Sequence, residues 1–215
     1  MAVRAVVFDV GETLVDETRA WGVWADWFGI PRLTFFAGLG GVVARGGDFR
    51  DVFELFRPGV DLRAEAERLG VAGRSDLLSL DDLYPDALPA LRSLRDAGYR
   101  LALAANQPAP AEAILSAIDL DFEFVAASAA WGAHKPDPAF FARIIETLDL
   151  PPGQIAYVGD RVDNDVRPAA AAGMRAVFLR RGPWAWIQQG RGAPAEAAAT
   201  IESLAELGSV LEHLE

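Results

Sequence analysis

The sequence predicts an α/β protein: a Rossmann-like, doubly wound parallel sheet with a small helical subdomain inserted near its start. Three observations carry this. Short apolar runs end repeatedly in an acidic residue, asparagine or glycine, as in AVVF before Asp9 and IAYV before Gly159 and Asp160. Such runs read as strands buried on both faces of a parallel sheet. Between them lie amphipathic stretches of helical length, the alternation expected of crossover units. Residues 16 to 80 break the rhythm, with Trp21, Trp24, Trp27, Phe28, Phe35, Phe36, Phe49, Phe53 and Phe56 between glycine clusters.

The elements follow in order. Ala5–Phe8 is the first strand. Trp21, Trp24 and Trp27 recur at helical spacing, so 16–80 reads as a helical insert burying an aromatic face; an aromatic-lined substrate pocket is the alternative. The core is then 1–15 with 81–215. Pro85–Ala97 reads as a helix closed by Gly98, Tyr99–Ala105 as a strand ending at Asn106, Ala109–Ala117 as a short helix and Phe122–Ala126 as a strand. Pro138–Leu148 is helical, with Asp137 as its N-cap and Pro138 in the first turn. Ile155–Val158 is a strand, Asn164–Ala172 a helix capped by Asp163 and closed by Gly173, and Arg175–Leu179 the last strand. GPWAWIQQGRG (182–192) reads as an irregular connection, and Ala195–Leu207 as a C-terminal helix.

Composition narrows the function classes. At 215 residues and 52% hydrophobic, the chain has ample material for a core. No apolar run approaches the ~20 residues that span a bilayer, and nothing resembles a signal peptide. Cysteine is absent, so disulfides and thiolate chemistry are excluded. A net charge of -11 disfavours broad contact with nucleic acid or anionic membrane. The expectation is a soluble cytoplasmic protein, monomer or homodimer, acting on a small molecule. Of 20 basic residues, Lys135 is the single lysine. An ammonium differs from a guanidinium in being a compact point charge, so this position invites a specific role.

Four segments should converge where strands end: Asp9; Asn106; the loop 133–137; and Asp160 with Asp163 and Asp165. In a doubly wound sheet these ends share one crevice. Asp9 and Asp160 close apolar strands with nothing local to pair them, and an unpaired buried carboxylate is costly. Facing carboxylates suit Mg²⁺, which shares its shell with water and phosphate oxygens.

At these positions the chain resembles the haloacid dehalogenase-like (HAD) superfamily of hydrolases. FDVGETLV matches the first motif, LALAANQP the second, HKPDPAFF the third and YVGDRVDNDVRPAAAAGM the fourth. The insert falls where this family carries a helical cap. The resemblance implies a nucleophilic and metal-binding Asp9, further Mg²⁺ ligands in Asp160 and Asp165, and the backbone carbonyl of Gly11 as another. Lys135 would be catalytic and substrate-binding, pairing with Asp9 and the phosphoryl group; Asn106 and Ala105 would stand at the substrate-binding position. The implied reaction is Mg²⁺-dependent hydrolysis of a small phosphorylated metabolite through an aspartyl-phosphate intermediate.

Two departures from the pattern bear on activity. The family's second aspartate, which protonates the leaving group, is Gly11 here. Such general acid–base help is typically worth ~10²–10⁴ in rate. The neighbouring Glu12 is not assumed to replace it. The hydroxyl usual before Asn106 is replaced by Ala105. Two alternatives follow: a dehalogenase-type hydrolase attacking carbon, against which the pair Asp160 and Asp165 argues, and a catalytically impaired protein that binds a phosphorylated ligand for regulation. His134 and Arg161 are candidate anion contacts, Trp131 a candidate flank of the crevice, and Arg180, Arg181, Trp184 and Trp186 either a partner surface or packing.

Overall fold

The computed structural model describes residues 2–73, 77–188 and 193–214. Among these, six strands form one sheet: β1 (Ala5–Phe8), β2 (Arg100–Ala105), β3 (Phe122–Ala127), β4 (Ile155–Gly159), β5 (Arg175–Leu179) and β6 (Ala199–Ile201). Their order is β3-β2-β1-β4-β5-β6, all neighbours parallel. β1 reads Ala-Val-Val-Phe and is buried throughout, as a central strand covered on both faces must be. The chain winds outward from β1 through β2 to β3, then returns to the other flank of β1 as β4. The reversal between β1 and β4 is the point at which such sheets open a crevice at their carboxyl ends. The α/β doubly wound class expected from the sequence is the one observed.

Helices cover the sheet. Ala87–Asp96 turns Ala87, Ala90, Leu91 and Leu94 inward. Pro138–Leu148 starts at Asp137, whose side chain accepts from the Ala139 amide at 2.9 Å, so the expected cap is present. That helix buries Phe140, Phe141, Ile144 and Leu148. The Phe141 ring meets Tyr157 of β4 edge-on at 5.3 Å. Full burial of side chains this size is worth roughly 1.5–3 kcal/mol each.

Three expected elements are corrected. Ala195–Leu207 is not one helix. Ala199–Ile201 pairs with Val177–Leu179 as β6, and a helix follows only at Leu207–His213. Alanine's helix propensity is a weak preference; the open edge of β5 and the burial of Ile201 outweigh it. Ser203 and Glu206 form a capping box that starts the helical turns there. Gly182–Gln188, expected to be irregular, is helical and buries Trp184 and Ala185; 189–192 of that connection lie outside the described residues. The helix expected at Asn164–Ala172 begins as a π-helical turn, Val162–Val166, before Arg167–Ala171. Asp163 does not cap it. Its carboxylate takes the Arg161 guanidinium at 2.9 Å and the Gln188 amide at 3.0 Å instead.

The chain divides into two compact units, 1–16 with 83–215, and 17–82. Among the described residues of the second unit are four α-helices: Thr18–Trp27, Arg32–Ala44, Asp51–Phe56 and Leu62–Val71. Their rings meet one another: Trp21 lies 5.7 Å from Phe49, Trp24 lies 5.2 Å from Phe53, and Phe35 stacks on Phe56 at 5.7 Å. Arg19 forks onto Asp82 near the two ends of this segment. No single helix among the described residues is long and apolar enough to cross a membrane.

Candidate active site

The parallel register of β1 and β4 sets two acids side by side. Phe8 lies opposite Val158, and the Asp9 amide donates to the Val158 carbonyl at 2.9 Å. Asp160 emerges one residue beyond Gly159 on the adjacent strand. The π turn then brings Asp165 back over Gly159. A Cβ at position 159 would lie 2.5 Å from the Asp165 carboxyl carbon. Only glycine permits that close approach. Arg161's backbone amide donates to Asp165 Oδ2 at 3.0 Å and fixes the carboxyl plane.

Lys135 completes the cluster from the third motif. Its Nζ lies 2.6 Å from Asp9 Oδ1 and 2.6 Å from Asp165 Oδ1. The structure thus brings Asp9, Lys135, Asp160 and Asp165 together, all buried. One carboxylate oxygen from each of Asp9, Asp160 and Asp165 lies within 4.8 Å of the others. Gly11 sits in the turn just after Asp9, half-buried. Ala105 is buried and carries no polar group.

Asn106 is occupied in an unforeseen way. Its amide donates to the Lys135 carbonyl at 2.9 Å and accepts from the Lys135 backbone N–H at 2.8 Å. It therefore fixes the backbone that carries the ammonium. Residues 133–137 follow a short helix, Ser128–Trp131, rather than β3 itself. Sequence reasoning missed Tyr157. Its hydroxyl donates to the Ala104 carbonyl at 2.8 Å, and its ring centroid lies 5.6 Å from the Lys135 ammonium. The available signal was a polar-tipped aromatic inside an otherwise apolar strand. Sequence reasoning set Glu12 aside, yet it is buried too, in a left-handed conformation (φ 54°), and accepts from the Tyr84 hydroxyl at 2.7 Å.

The remaining candidate side chains are engaged otherwise or face outward. His134 is exposed. Arg161 pairs with Asp163 and lies over the Trp184 ring. Trp131 packs between Phe124 and Phe140. Arg180 lies over Trp186, which is exposed.

The cluster is under-neutralised. Burial pushes the Asp160 carboxyl well up, and Asp165, Asp9 and Glu12 push it further, against the smaller opposing pull of the Arg161 charge. Burial also drives Asp165 up, to about 6, against the opposing pull of Lys135. Burial would push the Lys135 ammonium down, but Asp165 and Asp9 overcome this and hold it well above the usual lysine value. Among the described residues, Asp160 Oδ2 is buried without a hydrogen-bond partner. Three hard-oxygen donors, one with an unengaged oxygen, beside a single ammonium fit a divalent cation of the Mg²⁺ type.

A profile of the haloacid dehalogenase-like hydrolases matches residues 3–173. The chain belongs to that family. Among HAD relatives, it is 36% identical over 104 residues to a glyceraldehyde 3-phosphate phosphatase of Methanopyrus kandleri, covering 47% of this chain and 45% of that protein. It is 37% identical over 103 residues to a phosphoserine phosphatase of Thermus thermophilus, covering 46% and 41%. The chain thus spans less than half the length of these two relatives. A crystal structure of a HAD phosphatase from Thermococcus onnurineus superposes with a TM-score of 0.62 at 28% identity, over 97% of this chain and 98% of that one.

Proposed function

We propose that this HAD protein is a Mg²⁺-dependent hydrolase of a small phosphorylated metabolite, with 16–80 acting as a helical cap that selects the substrate. The observation that carries the reading is the buried set of three carboxylates around one lysine. Asp9, Asp160, Asp165 and the Gly11 carbonyl would hold the ion. When bound, Mg²⁺ supplies positive charge to the phosphoryl oxygens. Asp9 attacks phosphorus in line, the bond to the leaving oxygen breaks, and an aspartyl-phosphate forms; water then hydrolyses it. Lys135 screens the repulsion between the attacking carboxylate and the phosphoryl group. Asn106 and Tyr157 hold that ammonium in place.

Gly11 removes the family's acid. Leaving groups that need no proton, such as aryl or acyl phosphates, should therefore be preferred. Gly11 also supports a second reading, a protein that binds a phosphorylated ligand without turning it over. One assay separates the two: p-nitrophenyl phosphate and acetyl phosphate with and without Mg²⁺, against Asp9→Asn. Metal-dependent turnover lost in Asp9→Asn is expected; silence with retained Mg²⁺ binding supports the second reading. Gly11→Asp should raise turnover about tenfold or more if the missing acid is limiting. No gain in a folded, Mg²⁺-binding variant overturns the account of Gly11.

A further inference from the structure

A second polar assembly in the same unit touches the first-motif loop from outside the acidic cluster. Arg181 follows β5, and its side chain is 12% exposed. One arm of its guanidinium donates to the Thr13 carbonyl at 2.9 Å. The other donates to Asp86 Oδ2 at 2.5 Å. The guanidinium Cζ lies over the Tyr84 ring, 4.1 Å from the centroid. The Tyr84 hydroxyl donates to Glu12 Oε2, and its backbone amide to the Leu14 carbonyl at 2.9 Å. Asp86 Oδ2 also accepts from the Ser203 hydroxyl at 2.7 Å and the Leu204 amide at 3.0 Å, anchoring the assembly to the C-terminal turns.

The next residue reinforces it. Gly182 has φ +70°, and a Cβ there would lie 2.5 Å from Glu12 Oε2. Glu12 is thus seated between the Tyr84 hydroxyl and the bare backbone at 182. The loop it belongs to is tightly wound: the amides of Thr13, Leu14 and Val15 all donate to the Val10 carbonyl. Gly11 lies inside that turn with no side chain of its own to fix it.

From this geometry we propose that Arg181 and Tyr84 are positioning residues for the proposed reaction: they clamp Glu12 and Thr13 and so set the Gly11 carbonyl for the metal. The family's missing aspartate leaves a glycine without a side-chain anchor where a backbone ligand must be held; its backbone is bridged to Val15, and the clamp adds restraint from the neighbouring residues. Arginine is required at 181. A lysine ammonium is a compact point charge and offers neither the planar fork nor the flat face that the guanidinium brings to the two acceptors and the ring.

The inference rests on the reading of Asp9 as a metal-dependent nucleophile, so its test carries a readout independent of turnover. Arg181→Lys and Tyr84→Phe would be compared with the unaltered protein by amide hydrogen exchange without metal, and by titration with Mg²⁺ alone. Tyr84→Phe keeps the stacked ring and deletes only the hydroxyl, so it serves if Arg181→Lys fails to fold. Faster exchange confined to Thr13, Leu14 and Val15 is expected, with Mg²⁺ affinity about tenfold weaker. Unchanged loop protection and unchanged Mg²⁺ affinity in both variants overturn the proposal. So does a general loss of stability in Arg181→Lys with neither local change in Tyr84→Phe. If the unaltered protein itself binds no Mg²⁺, the functional reading fails, and loop protection alone then decides whether the clamp exists.

Discussion

Two cations sit deep in the same unit and are matched in opposite ways. Lys135 is almost fully buried among Asp9, Asp160 and Asp165, three carboxylates to one ammonium. Arg181 meets one carboxylate, Asp86, and spends its other arm on a neutral carbonyl. The first cluster is short of positive charge in a place where charge is expensive. The second is balanced and tied to a ring and two backbone segments. An imbalance of that kind raises the energy of the folded chain and leaves a place for an external cation. A one-to-one pair orients its surroundings, even though, among the described residues, Asp86 Oδ1 and Thr13 Oγ1 are left buried without a hydrogen-bond partner. Under the proposed function the same distinction separates chemistry from scaffolding, and it can be attacked from either side.

The largest effect should come from removing the one ammonium. Lys135→Met keeps the apolar stem and leaves three buried acids without their ammonium. Breaking a buried pair on one side costs about 3–5 kcal/mol. Urea unfolding without metal at pH 7.5 should show a loss of that size, and Mg²⁺ should restore part of it. Turnover of an aryl phosphate should fall by about 10²–10³ even where the variant folds. A variant as stable as the parent in metal-free buffer would mean the acids are not ionised together.

Removing a carboxylate should do the reverse. Burial and the neighbouring Asp165, Asp9 and Glu12 raise the Asp160 value, so its charge costs stability in the metal-free protein. Asp160→Asn should raise the metal-free melting temperature at pH 7.5 and lose the Mg²⁺-induced shift. The pH dependence has a fixed sign. A carboxyl raised in the folded state adds stability below its unfolded value and loses it as pH climbs through its folded value. For Asp165 that window runs from the unfolded value of about 3.9 to about 6. Metal-free stability should therefore decline by about 2–3 kcal/mol across it. Saturating Mg²⁺ should flatten the decline. Melting curves from pH 4 to 8, with and without the ion, check both statements; a slope unaffected by Mg²⁺ would remove the ion from this cluster.

The lysine–acid side of the comparison was legible in the sequence, and the arginine side was not. Asp9 and Asp160 each follow an apolar run, and strand ends in a wound sheet have only one crevice to enter. Lys135 stood out as the lone lysine. Asn106 was marked for the right place, yet its amide pairs with the Lys135 backbone, a contact that depends on loop shape and leaves no periodic trace. Arg181 was singled out only with Arg180, Trp184 and Trp186, as a partner surface or as packing, because its partners Thr13, Tyr84 and Asp86 are 168, 97 and 95 positions away. The C-terminal strand was hidden for a related reason. Local propensity at Ala195–Ala199 favours helix, whereas edge pairing with β5 depends on a neighbour far off in sequence. Trp184 gave no period to read, and its burial became visible only with the helix it sits on.

The smallest effect should come from loosening the balanced side. Burial pushes the Asp86 carboxyl up, but hydrogen bonds from Arg181 and Ser203, the Arg181 charge and the Leu204 amide together hold it below the usual value. A depressed carboxyl contributes stability above its unfolded value and loses it as pH falls through the folded one. Asp86→Asn keeps an acceptor for Ser203 and Leu204 and removes only the charge facing Arg181. A hydrogen bond to a charged group is worth about 1.5–3 kcal/mol, and retention of the neutral bonds places the expected loss near the lower end. The gap between parent and variant should be widest at neutral pH, begin to narrow near the unfolded carboxyl value of about 3.9, and close only as pH falls through the lower folded value. That slope is opposite in direction to the one expected of the acidic cluster. Denaturation midpoints of both proteins at pH 3.5, 5 and 7.5 would separate the two contributions. A gap that persists unchanged at pH 3.5 would assign the loss to packing at Asp86 and take its charge out of the balance with Arg181.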